Sequence, residues 1–246
     1  MAIAFVKSIG SNISSSSSIT TLSVTVPAAG VAVGNCVIVW FNGFNWATGQ
    51  NATASDSKSN TYTRDYVLNS TAAGLNVMSS AIVTTALVSG DTITCTFTAA
   101  NQDYIIQALE FSGILNTNRF FQGATGTAGT STTPSITITP GASPPSKTLL
   151  LGGMNTIAAS TVTITEDADS TGGDTWHSIG RINTAQDTKK MSTWMAYKIP
   201  TAGNTGTAQT YNPTLGTSSG WIEQLAIYAG IPDIYTLHPR GPNYRR

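Results

Sequence analysis

Few residues in this chain have types and spacings that could do chemistry, and each group also has a structural reading. Cys36 and Cys95 are the only cysteines among 246 residues. One such pair, in one half of the chain, makes neither a disulfide framework nor a metal-ligand spacing. Both fall at inward positions of apolar or alternating runs, and the residues 113 further on, Leu149 and Ala208, are apolar. Buried hydrophobes describe them better than reactive thiols. The acidic segment Glu166-Asp167-Ala168-Asp169 with Asp174 offers the hard oxygens that Ca²⁺ takes six to eight at a time. It lacks the EF-hand pattern, so a turn held by Asx hydrogen bonds is the stronger reading. His177 and His238 are the only histidines. Neither stands in a Ser-His-acid or Cys-His-acid arrangement, and no two of the twelve acids stand out as a glycosidase pair. The chain is expected not to be an enzyme, with no cofactor and no metal.

Two further groups suit contact rather than catalysis. Phe44 and Trp46, flanked by Asn42, Asn45 and Gln50, could stack on sugar rings with amide donors beside them. Aromatic residues are equally at home in a subunit interface, which is the preferred reading. The stretch from Pro232 to Arg246 holds three prolines, His238, Arg240, Tyr244, Arg245 and Arg246, and no acid after Asp233. Such a basic extension can lie across a neighbour's carboxylates or remain a frayed end; both readings stand.

The elements that would hold these residues are short strands. A strand is expected over Ala4 to Gly10, followed by a polar spacer from Ser11 to Ser18. Leu22, Val24 and Val26 alternate with polar residues, as do Ile93, Cys95 and Phe97, the period of a half-buried strand. Cys36 to Phe41 is apolar throughout and should be covered on both faces. Asn42 to Asn60 reads as a long polar loop, and Ser89-Gly90-Asp91 as a turn. No segment carries a helical period with caps. Trp176, Trp194 and Trp221 fall in strand patterns and are expected in the core.

The order of these elements recurs. Tyr104 to Ile114 and Trp221 to Ile231 share an aromatic start, a glutamine (Gln107, Gln224) and a Gly-Ile exit, 117 residues apart. Leu149-Leu150-Leu151 falls on Cys36-Val37-Ile38, and Asp169 to Trp176 echoes Asp56 to Tyr62. Ile106 and Glu110 correspond to Glu223 and Ile227 with their polarity exchanged, which points to outer faces that differ between the copies. The expected fold is all-β: two tandem β-sandwich domains of jelly-roll or Greek-key type from an internal duplication, over residues 1–114 and 115–232, with a basic tail over 233–246.

Charged residues make up only 10% of the chain, with 12 basic and 12 acidic. A net charge of zero gives no general attraction to nucleic acid or to an anionic membrane, and it leaves little repulsion between copies. The first residues lack the basic start and apolar run of a signal peptide, and no run is long enough to span a membrane.

The segment Asp56-Ser57-Lys58-Ser59-Asn60-Thr61-Tyr62 and the strand end Phe111-Ser112-Gly113-Ile114 resemble a diffuse group of bacterial and tailed-phage β-sandwich proteins. In that group an Asp-Ser-x-Gly-Asn-Thr-Trp/Tyr turn precedes an aromatic-Ser-Gly-Val/Ile strand end; here Ser59 stands in place of the glycine. The motifs are structural and carry no catalytic residue across. The Ser/Thr/Gly-rich, low-charge style is also similar to jelly-roll proteins of phage virions. That resemblance implies a structural virion protein made in the host cytoplasm. The first expectation is a capsid decoration (cement) protein, a homo-oligomer stabilising the particle through contacts with its own copies and a major capsid protein. The alternative is a carbohydrate-binding adhesin of a tail or head fibre that meets surface glycans.

Overall fold

Alternating and continuous apolar runs both become strands in the computed structural model. It describes residues 1–16, 19–44, 51–70, 74–97, 103–124, 128–141, 145–184, 190–201 and 206–233, and among them there are eighteen strands and no helix. The protein is an all-β sandwich structure. In the first half lie β1 (Ala4–Ser14), β2 (Thr21–Thr25), β3 (Cys36–Gly43), β4 (Ala52–Asp56), β5 (Thr63–Ser70), β6 (Gly74–Ile82), β7 (Thr92–Phe97) and β8 (Tyr104–Ser112). They form a large antiparallel sheet of order β1-β8-β3-β6-β5 and a small one of order β2-β7-β4. First pairs with last, second with second-last and third with third-last, the nested connectivity of a jelly roll. Between the sheets, Val37, Val39 and Phe41 of β3 meet Leu22 and Val24 of β2 and Ile93, Cys95 and Phe97 of β7. The Phe97 ring stacks on both Phe41 and Tyr104, at 5.0 and 4.3 Å.

The second half holds β9 (Phe120–Ala124), β10 (Ala128–Ser131), β11 (Ile136–Ile138), β12 (Thr148–Ala158), β13 (Ile164–Thr165), β14 (His177–Asn183), β15 (Lys190–Lys198), β16 (Gln209–Tyr211), β17 (Thr214–Leu215) and β18 (Ser219–Ala229). Its large sheet runs β10-β18-β12-β15-β14, with β9 also on β18, and the two-stranded ribbons β11-β16 and β13-β17 cover one face. This is the order of the first half with β9 and β10 together in the place of β1. The register agrees as well. Cys36 pairs with Phe111 and Trp40 with Gln107, while Leu149 pairs with Tyr228 and Gly153 with Gln224.

The two large sheets pack back to back. Successive residues of a strand point to opposite faces, so β3 sends Val37, Val39 and Phe41 into its own sandwich and Cys36, Ile38 and Trp40 toward the other half. There they join Met78, Leu109 and Phe111 against Leu149, Leu151, Met195, Ala226 and Tyr228. Gly153 leaves room for the Trp40 ring, which a Cβ there would overlap. Beyond Trp40 the interface turns polar: Asn42, Asn76, Gln107 and Gln224 are all buried, and Gln224 Nε2 donates to the Asn76 carbonyl at 3.4 Å. The matched glutamines therefore belong to the join between the halves.

The Asp56 to Tyr62 motif is a lock between loops. Asp56 Oδ1 accepts from the amides of Lys58 and Asn60 at 2.9 and 3.1 Å. Asn60 Oδ1 accepts from the amides of Thr84 and Thr85 at 2.8 and 2.9 Å, and Asn60 Nδ2 donates to the Thr85 carbonyl at 3.0 Å. In the second half Asp169 Oδ1 accepts from the amide of Thr171, and Asp174 Oδ2 from that of Ile199.

Several expectations need correction. Ser11 to Ser14 belong to β1 and are not spacer, because the ladder with β8 continues through them and pairs Ser14 with Tyr104. The Asn42 to Asn60 stretch is not one loop: β4 lies within it, pairing Ala52 to Asp56 with β7, and because its inward residues are only Ala52 and Ala54 the alternation is weak. Ala208 is exposed, so it is no buried counterpart of Cys95; the inward residues of that ribbon are Gln209 and Tyr211. The exchanged residues Ile106, Glu110, Glu223 and Ile227 are on no outer face. All four are buried in the sandwich interiors, since β8 and β18 are central strands covered on both sides.

Candidate functional site

A pocket of about 310 Å³ opens where the two halves meet, lined by Thr63, Arg64, Asp65, Asn118, Arg119 and Phe120. Its wall begins with an irregularity in β5. Arg64 pairs with Ser79 and Tyr66 with Met78, leaving Asp65 as the extra residue of a β-bulge. A bulge re-aims side chains at the edge of a sheet. Here it brings the Asp65 carboxylate to the seam, where the Tyr228 hydroxyl donates to Oδ2 at 2.8 Å. Burial raises the Asp65 carboxyl above its ordinary range, against the lowering pull of Ser80, Tyr228 and Arg119.

The opposite wall comes from the segment joining the halves. The Leu115 amide donates to the Ala229 carbonyl, and the Ala229 amide to the Arg119 carbonyl, which ties this segment to β18. The Arg119 guanidinium then reaches across the seam. Nε donates to Ser80 Oγ at 2.6 Å, and Nη2 donates to the Ser80 carbonyl at 2.6 Å and to Thr63 Oγ1 at 3.0 Å. Asn118 takes up a left-handed backbone, φ 51°. Asparagine tolerates this conformation better than most residues. Phe120 packs edge-on to Tyr228 at 5.7 Å and beside Tyr66 at 6.5 Å. The result is a rim of two guanidiniums, that of Arg119 anchored, with one carboxylate, an amide and an aromatic ring.

None of these residues was singled out from the sequence. Residues 63–65 and 118–120 meet only through the fold. One signal was available: Arg64-Asp65 is a pair of adjacent charges inside a strand of a chain that carries few.

The residues that were singled out lie elsewhere. Phe44 is half-buried just past β3, its amide donating to the Asp103 carbonyl at 2.9 Å. Trp46 and the tail residues His238, Arg240, Tyr244, Arg245 and Arg246 lie outside the described residues. Cys36 and Cys95 are free and buried, and burial pushes both thiols up to about 12, which bears out the reading as inert core residues. Trp176 and Trp221 are buried and Trp194 partly so; Trp176 lies just ahead of β14.

The acidic segment makes the Asx bonds expected of it. Asp167 Oδ1 accepts from the Asp169 amide at 2.7 Å and Asp167 Oδ2 from the Asn212 amide at 2.9 Å. Asp169 pairs with the fully buried Lys198 at 2.8 Å, and Glu166 Oε2 accepts from Trp194 Nε1 at 2.8 Å. Among the described residues no group of three or more His, Cys, Asp or Glu is placed to hold a metal ion. His177 Nε2 lies 2.9 Å from Asp174 Oδ1, and its ring stacks on Tyr197 at 5.0 Å. Tyr197 stacks in turn on Phe5 at 4.9 Å, so this ladder fastens β1 to β14 across the halves. Burial works against ionised Asp174, but the Ile199 amide, His177 and the Thr175 amide together hold it below the ordinary carboxylate range. Comparison with family models, with curated proteins and with solved structures returns no significant match.

Proposed function

We propose that this chain is a structural virion protein, a decoration protein that stabilises a particle by burying surface against its own copies and a major capsid protein. The observation that supports it best is the shared apolar core between the two large sheets. Two domains in one chain move against each other unless their interface is large and apolar. Here Trp40, Met78, Phe111, Leu149, Leu151 and Tyr228 make such an interface. A cement must carry load between neighbours, and a single stiff body does this better than two sandwiches on a hinge. The reading takes the halves as descendants of one unit, with their common strand order as support. It also places the contacts on faces and loops. The edge strands β1, β5 and β14 all carry register breaks, a device that discourages edge-to-edge pairing.

The test is particle binding. Purified protein should attach to assembled particles, appear in virions by mass spectrometry, and raise the temperature at which the particles open. Absence from virions together with no attachment sinks the reading. A second reading, a carbohydrate-binding adhesin, is favoured by the mixed polar and aromatic lining of the seam pocket.

A further inference from the structure

The geometry points to the seam pocket as a binding site for an acidic monosaccharide unit, a sugar ring that carries a carboxylate. Its volume of about 310 Å³ lies at the small end of ligand pockets, roughly 300–1,000 Å³, which suits one ring. The Arg64 side chain is exposed and has no hydrogen-bond or ion-pair partner among the described residues. The Arg119 guanidinium is anchored through Nε and Nη2, while Nη1 has only a long contact, 3.4 Å to the Asn116 carbonyl. One guanidinium is therefore free and the other is pre-positioned. Planar fork donors of this kind match a carboxylate.

The remaining lining suits the rest of a sugar. Phe120 offers an apolar ring, and Asn118 an exposed amide. Asp65 is held by the hydroxyls of Tyr228 and Ser80, and the remaining lone pairs of its carboxylate can accept from a ring hydroxyl. Two cations against one carboxylate leave the pocket with a positive balance, which favours an acid over a neutral sugar. The proposal deepens the adhesin reading and is independent of the decoration role, since a sugar site can sit on a protein that also binds particles.

The experiment is titration calorimetry and amide chemical-shift mapping on the full chain with four probes: glucuronate, N-acetylneuraminate, glucose and acetate. At least one of the two acids should bind saturably, with a Kd of about 1 mM or below, shifting residues 63–65 and 118–120. Glucose and acetate should each bind at least about tenfold more weakly. Arg64→Ala alters an exposed side chain and should leave the melting temperature unchanged while weakening the acid about tenfold or more. Asn118→Gly keeps the left-handed backbone and removes the amide; it should weaken binding severalfold. No saturable binding of either acid, equal binding of acetate, or full affinity in Arg64→Ala overturns the proposal. Any of these results leaves the particle-binding test untouched, so the two readings fail separately.

Discussion

Ser59 holds its backbone at φ 61°, in the left-handed region, on the turn that Asp56 and Asn60 lock. The turn of the second half has Gly172 and Gly173 there, at φ 92° and 85°, where no Cβ opposes the conformation. Ser59→Gly should therefore stabilise the protein by up to about 1 kcal/mol, once the extra freedom of glycine in the unfolded chain is offset. A urea midpoint that fails to rise, with unchanged slope, refutes this. The exchanged carboxylates make a second contrast between the halves. Glu110 is buried but provided for: Oε1 accepts from Asn35 Nδ2 at 2.6 Å and from the Ala32 amide at 3.2 Å. Lys7 Nζ lies 2.7 Å from Oε2, an ion pair without hydrogen-bond geometry. Glu223 is fully buried, and neither of its oxygens has a hydrogen-bond partner among the described residues. Burial, helped by the nearby Asp167, pushes its carboxyl up to about 9 from an ordinary 4.5. Between these values the folded chain keeps a proton that the unfolded chain releases. The Glu223 contribution to stability is thus fully present below about pH 4.5 and is lost as pH rises toward 9. Glu223→Gln, which cannot ionise, should gain on the parent across that window, reaching on the order of a few kcal/mol at the alkaline end. A stability difference that stays flat with pH rules the account out.

At the scale of elements, the packing of β3 on β12 turns on one glycine. A methyl at Gly153 overlaps the Trp40 ring, and both residues sit in the middle of their strands, where the backbone cannot step aside. Gly153→Ala should cost about 1–3 kcal/mol, the usual range for overpacking. Trp40→Leu should cost stability on its own yet relieve part of the Gly153→Ala penalty, giving a non-additive cycle. Strict additivity in denaturant melts would mean that the two residues do not touch. This contact also marks the limit of what the sequence shows. The strands were legible wherever alternation or a continuous apolar run survives, as in β7 and β3. They were hidden where the inward positions hold only alanines, as Ala52 and Ala54 do in β4, or where an edge strand extends along its partner, as in β1. Cys36 to Phe41 announces two covered faces, yet nothing in that run says that one of the covers is the other half of the chain. The seam pocket was less legible still. It depends on a bulge at Asp65 and on the Arg119 crossing, and neither leaves a periodic trace.

Over the whole molecule, the shared core implies that neither sandwich is stable by itself. Separating the halves would expose Cys36, Ile38, Trp40, Met78, Leu109 and Phe111 on one side and Leu149, Leu151, Met195, Ala226 and Tyr228 on the other. Each large apolar side chain uncovered loses roughly 1.5–3 kcal/mol of burial. The loss on each side is comparable to the whole 5–15 kcal/mol that holds a typical domain together. Other ties cross the same plane. The Tyr228 hydroxyl bonds to Asp65 and the Arg119 side chain to Ser80, while the Ile231 amide donates to the Gly113 carbonyl. Unfolding should therefore be a single transition for both halves, with the calorimetric and van't Hoff enthalpies equal. Circular dichroism and the fluorescence of Trp40, in the first half, and Trp176, in the second, should melt together, each read in a variant that keeps only that tryptophan. Gly153→Ala should lower both signals by the same amount, although Gly153 belongs to only one half. Two resolved heat-capacity peaks, or a variant that moves one signal and leaves the other, would show two domains that merely touch, and would remove the stiffness on which the proposed role in a particle depends.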